Sequence, residues 1–127
     1  MAYSFENQKG GLTREAAGTI GRYERIKIDT AGKWVQAGAG AGGKAEAVAE
    51  DDAVAGDQLK GIPLIPATVV PMKAAVAITQ GALVYGGASG KINVTNTNCL
   101  EGKALEAASG DNSIIPVMVM NTSAITL

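Results

Sequence analysis

Tyr23-Glu-Arg-Ile-Lys-Ile-Asp29, Thr30-Ala-Gly-Lys33 and Trp34-Val-Gln-Ala37 follow one another without a break. The first stretch alternates. Ile26 and Ile28 fall on one face, and Arg25, Lys27 and Asp29 on the other, which is the period of a half-buried strand. Residues 30–33 read as a turn, and residues 33–37 return as the partner strand. Working outward from this hairpin, further strands are expected at 61–65, 74–79, 82–85, 91–95, 102–107 and 114–120. Gly86-Gly-Ala-Ser-Gly90 and Ala108-Ser-Gly-Asp-Asn112 supply hairpin loops between neighbours. Ile and Val together outnumber Leu by 20 to 7, a β-branched bias that suits strands. Pro63, Pro66, Pro71 and Pro116 stand in or beside apolar runs, so those positions should be edges, bulges or crossings. Many short strands with Gly-rich turns indicate a small compact all-β barrel or sandwich of antiparallel strands. Only 45–55 competes as a helix, on its alanines, and its acidic residues argue for a loop instead.

Residues 1–22 differ. They hold Tyr3 and Phe5, then Gly10-Gly11 and a polar stretch in which no period persists, apart from a short helical turn expected over 13–17. The expectation is an extended N-terminal arm over 1–22 and a single β domain over 23–127. Two rings within five residues suit docking, since each can bury roughly 150–250 Å². Tyr3, Phe5 and Leu12 offer apolar surface and Arg14 a guanidinium for a carboxylate, which makes them the candidate partner contacts.

Composition sets the scale. A chain of 127 residues suits one domain, domains being typically about 100–150 residues. Leu, Ile, Val and Phe total only 28 residues, while Ala supplies 22 and Gly 17. So thin a core often gains stability by association. A net charge of −1 gives no basic stripe for nucleic acid. No apolar run is long enough to span a membrane, and the first ten residues lack a signal-peptide h-region. A single cysteine, Cys99, closes no internal disulfide. The absence of histidine removes the commonest general base and metal ligand, and with them every Ser-His and Cys-His arrangement.

Three motifs invite a chemical reading. In Gly38-Ala-Gly-Ala-Gly-Gly-Lys44-Ala45, the glycines fit G-x-G-x-x-G and most of G-x-x-x-x-G-K, the patterns that cradle phosphates. The Ser or Thr that would hold Mg²⁺ is replaced by Ala45, and no helix pattern follows. The expected structure is a Gly-Ala hairpin loop, with a nucleotide-binding enzyme as the remote alternative. Glu50-Asp51-Asp52 with Asp57 could suggest a calcium loop counted from Asp51. However, Ala53 and Ala55 stand at the third and fifth positions and Ile62 at the twelfth, where ligands are required, so a solvated acidic turn is expected. Cys99 has no base beside it in sequence. No catalytic residue, cofactor or metal is expected. An internal echo is also visible: Gly43-Lys-Ala45 and Gly102-Lys-Ala104 are each followed by Gly-Asp and by aliphatic-Pro-aliphatic, which suggests pseudo-symmetric halves.

The stretch over 43–120 resembles a known family. Ala47-Val-Ala-Glu-Asp-Asp-Ala-Val-Ala-Gly-Asp57, Ile78-Thr-Gln-Gly-Ala-Leu-Val-Tyr85, Lys91-Ile-Asn-Val-Thr95 and Glu101-Gly-Lys-Ala-Leu-Glu-Ala-Ala-Ser-Gly-Asp111, closing on Ile115-Pro-Val-Met-Val119, occur in the order found in the small capsid decoration, or cement, proteins of tailed bacteriophages. The resemblance implies a tulip-like β domain without enzyme activity or cofactor. It implies a homotrimer on the outer capsid surface of the virion, with the major capsid protein as partner and neither nucleic acid nor membrane. The alternative is another β-rich virion part, such as a head fibre base or tail protein.

Overall fold

The computed structural model describes residues 11–40 and 43–120. Ten strands form two antiparallel sheets. The first holds β1 (Leu12–Glu15), β2 (Arg25–Ile28), β3 (Trp34–Gln36), β4 (Ala47–Ala49) and β5 (Gln58–Pro63), in the order β1-β5-β4-β2-β3. The second holds β6 (Val69–Lys73), β7 (Leu83–Gly86), β8 (Ile92–Asn93), β9 (Leu100–Ala104) and β10 (Ile114–Val119), in the order β6-β10-β9-β7-β8. The two orders are the same pattern. Each sheet also curls until its edges meet. Ala16, just past β1, bridges Trp34 of β3 in parallel, and Ala74, just past β6, bridges Ile92 of β8 in parallel. Closure removes the unpaired strand edges that an open sheet presents.

The duplication extends to side chains. The first unit is filled by Ala16, Ile20, Ile26, Trp34, Ala49, Ala53 and Leu59, all buried. At the matching places the second unit buries Ala74, Ile78, Val84, Ile92, Ala104, Ala108 and Ile115. Matching is fixed by backbone hydrogen bonds: Ile20 exchanges a pair with Ala53 as Ile78 does with Ala108, and Ala49 donates to Glu24 as Ala104 does to Ala82. The turns repeat too, since Gly32 and Gly90 both take positive φ, at 79° and 73°, and each precedes a lysine.

The all-β expectation holds, as do the β2–β3 hairpin and the 86–90 and 108–112 loops. Several expectations need correction. Residues 12–22 are not an arm: β1 pairs with β5, and Ala16 and Ile20 enter the core. The helical turn expected at 13–17 is therefore mostly strand. Residues 74–79 form no strand, because Ala74 and Ile78 each make a single bridge as the chain bends across the end of the unit. The Gly-rich loop is not a hairpin, since β3 and β4 flank β2 on opposite sides. Arg25, expected outside, is buried. Pro71 lies on edge strand β6, but Pro116 is in central β10, where it faces Pro71 and stands beyond the end of the β9 pairing, so little of the ladder is lost. The echo is real as architecture but out of register. Glu46 matches Glu101, since their carbonyls accept equivalent bonds from Leu64 and Met120; this sets Gly102 opposite Ala47 rather than Gly43.

Volumes trade between the units. Trp34 lies against Gly61, where an added Cβ would stand 2.6 Å from the indole. The second unit uses the smaller Ile92 and the larger Val117. Gly61→Val should overpack the first unit and lower stability in urea by about 1–3 kcal/mol. Trp34→Ile added to it should recover part of that loss.

Candidate assembly surface

The two units meet along a seam that Arg25 of β2 crosses. Its side chain and that of Glu101 are both 0 % exposed, and Nε donates to the Glu101 carboxylate. Nη2 donates to the Gly43 carbonyl at 2.6 Å and Nη1 to the Gly87 carbonyl at 3.1 Å, with Gly38 and Lys91 carbonyls at 3.4 Å. The guanidinium thus ties a first-unit loop to a second-unit loop. Gly86 makes room for it, since a Cβ there would stand 2.2 Å from Nη2. Beside it Glu24 accepts from Gly21 N, from Gln36 Nε2 and from Lys73 Nζ at 3.2 Å, a second link across the seam.

This arrangement bears on the glycine-rich loop, of which residues 41 and 42 lie outside the described residues. A phosphate loop aims amide N–H groups at an anion. Here Gly38 and Gly43 aim carbonyls at a cation, and the connection leads into β4 rather than a helix. Glycine at 43 lets the loop fold back on itself, since a Cβ there would stand 2.1 Å from the Gly38 carbonyl. The carboxylates of the acidic turn are likewise occupied: Asp52 accepts from Arg22 N and Asp57 from Val54 N, while Glu50 pairs with Lys60. Among the described residues, no group of three or more His, Cys, Asp or Glu could hold a metal ion. The half-buried Cys99 sets its thiol on the Gly40 carbonyl. No described helix is long and apolar enough to cross a membrane.

Of the candidate contacts, Tyr3 and Phe5 lie outside the described residues. Leu12 packs partly into the first core, whereas Arg14 is exposed on β1. The structure does not gather these two into one contact site. It brings forward a surface that the sequence reading missed. The outward positions where β1 pairs with β5 in the first unit are polar: Thr13 and Glu15 on β1 and Gln58 and Lys60 on β5. Their counterparts are Pro71 and Lys73 on β6 and Ile114 and Pro116 on β10. Beside them Val69 is 56 % exposed, Ile114 44 % and Leu83 40 %. Equivalent backbones therefore carry more apolar outward residues in the second unit, interspersed with Lys73 and Lys103, and exposed apolar surface gathered in this way marks an interaction surface.

Two outcomes test this site. Arg25→Met leaves the Glu101 carboxylate buried without its guanidinium, and denaturant unfolding should show a loss of about 3–5 kcal/mol, the usual cost of breaking a buried pair. Addition of ATP or NAD should leave the thermal midpoint unmoved, because the loop that resembles a phosphate cradle already holds a cation.

Comparison with known proteins agrees with this geometry. A family model described as phage cement protein matches residues 20–119. The crystal structure of the head fibre gp8.5 N base of bacteriophage phi29 superposes with a TM-score of 0.69 at 18 % identity, covering 86 % of this chain and 92 % of that one; it shares the fold. No curated protein matches the chain. The family match spans both units and the seam between them, so the chain belongs to the phage cement protein family and is a structural protein of the virion at the capsid surface.

Proposed function

We propose that this chain binds the outer surface of a bacteriophage head as a homotrimer, bridges neighbouring major capsid protein subunits and stabilises the shell, with no reaction of its own. The family match over 20–119 carries this reading. The build of the molecule supports it. Two closed units locked by a buried ion pair make a stiff body without cofactor-like chemistry. The thin core and the apolar outward patch favour association. Trimerisation multiplies weak capsid contacts, because linked sites bind at high effective concentration. The arm role belongs to residues 1–10 in this proposal, with Tyr3 and Phe5 as the apolar anchors and the exposed Arg14 of β1 as a charged contact.

Co-sedimentation with heads lacking the protein tests the reading. The full chain should pellet with the heads and raise the temperature at which they rupture; a chain that stays in the supernatant overturns it. Deletion of residues 1–10 should reduce retention on heads while leaving the thermal midpoint of the free protein unchanged. Deletion through residue 14 should also lower that midpoint, because it removes most of β1 and its pairing with β5.

A further inference from the structure

The seam inside the chain is not two-fold. The first unit contributes one outward row, and the second receives it with a different part of its surface. The row runs across adjacent strands as Arg25, Val48 and Ile62, which are register partners. Arg25 and Val48 are fully buried by the second unit, and Ile62 packs against the same core. The second unit carries the same row in the same register, as Leu83, Lys103 and Met118. There it is uncovered: Leu83 and Lys103 are exposed and Met118 half-buried. Each row is apolar with one cation, and only the strand bearing the cation differs. A face with this make-up, left bare on the unit whose twin buries it, is the unpaired half of a repeated contact.

The receiving surface is also present twice. In the second unit Arg25 meets the Glu101 carboxylate and lies over Gly86. The counterparts in the first unit are Glu46 and Ile28. Glu46 is exposed, and its carboxylate accepts from Ile28 N at 2.7 Å; the Ile28 side chain is half-buried. The substitutions between the two sets complement one another. Where the inner contact sets a long cationic side chain over a glycine, the outer one offers Leu83 to Ile28. Where the inner contact pairs Arg25 with Glu101, the outer one offers Lys103 to Glu46. Among the described residues Lys103 makes no salt bridge.

We infer that the row Leu83, Lys103 and Met118 of one copy seats on the Ile28 and Glu46 surface of the first unit of a second copy, in a head-to-tail repeat of the contact within the chain. Such a heterologous contact generates a ring when its rotation closes. The inference rests on the proposed self-association and names its interface; three copies in such a ring would present alternating first and second units.

Size exclusion with light scattering on the full chain tests it. The wild-type protein should elute as an oligomer. Lys103→Glu and Glu46→Lys should each drop the mass to that of one chain, and the double exchange should restore the oligomer. Leu83→Asp, at a position already exposed, should give the same loss, with the β-sheet circular dichroism of every variant retained. An oligomer whose mass survives all three single substitutions overturns this contact and leaves self-association standing. A wild-type chain that is monomeric overturns the contact and the trimer together. Retention on capsid heads is read separately, so neither result is confused with failure of capsid binding.

Discussion

A guanidinium that neither unit can satisfy alone organises this molecule. Arg25 belongs to β2 of the first unit, yet its carboxylate partner and the Gly87 and Lys91 carbonyls belong to the second, while the Gly38 and Gly43 carbonyls return from the first. Burying such a charge without partners would be prohibitive, so the side chain is stable only when both loops close on it. This makes the seam conditional on both units being formed and in register. Gly86 is fixed by the same need, since any side chain there would occupy the space of the guanidinium.

Around that constraint the two units have diverged on the outside while staying alike on the inside. The cores keep small residues at the bridges, Ala16 with Ala74 and Ala53 with Ala108, because strand closure leaves little room there. The outward positions differ with their surroundings: Thr13 and Lys60 face water, Val48 is covered by the sister unit, and Ile114 and Leu83 are exposed apolar residues. In each unit a bridge joins the two edges of the sheet, Ala16 to Trp34 and Ala74 to Ile92, which reduces the strand edge open to a partner. The contact proposed above uses a sheet face, where side-chain chemistry rather than ladder hydrogen bonds sets the specificity.

Much of the fold was legible in the sequence, for physical reasons that also explain the gaps. Strands whose alternation serves one core, such as β2, β7 and β10, show their period and were found. β4 is three residues, Ala47 to Ala49, buried on both faces, and a strand without a polar face has no period to read. Arg25 was placed outside because alternation assigns faces and not neighbours; its face is the outward one of its own sheet, and the second unit covers it. The duplication was seen, but through Gly-Lys-Ala matches that an Ala- and Gly-rich chain produces readily. The true correspondence lies in buried positions and left-handed turns, as at Gly32 and Gly90. The proposed contact row has no sequence signal, since Leu83, Lys103 and Met118 come from three strands and meet only through register.

The glycine-rich loop shows how far a motif can be separated from its chemistry. Glycine at 40 takes a φ of 80° and glycine at 43 packs against the Gly38 carbonyl, so a tightly folded glycine loop is common to phosphate loops and to this one. What differs is which end of the peptide dipole faces inward. A helix N-terminus after the loop would have lined up N–H groups. Here the chain instead enters β4, and carbonyls converge on Arg25. The sign of the bound charge is therefore decided by the element that follows the loop. In this chain carbonyls from a pattern associated with cofactor binding help to hold two structural units together, which suits a structural protein of the virion.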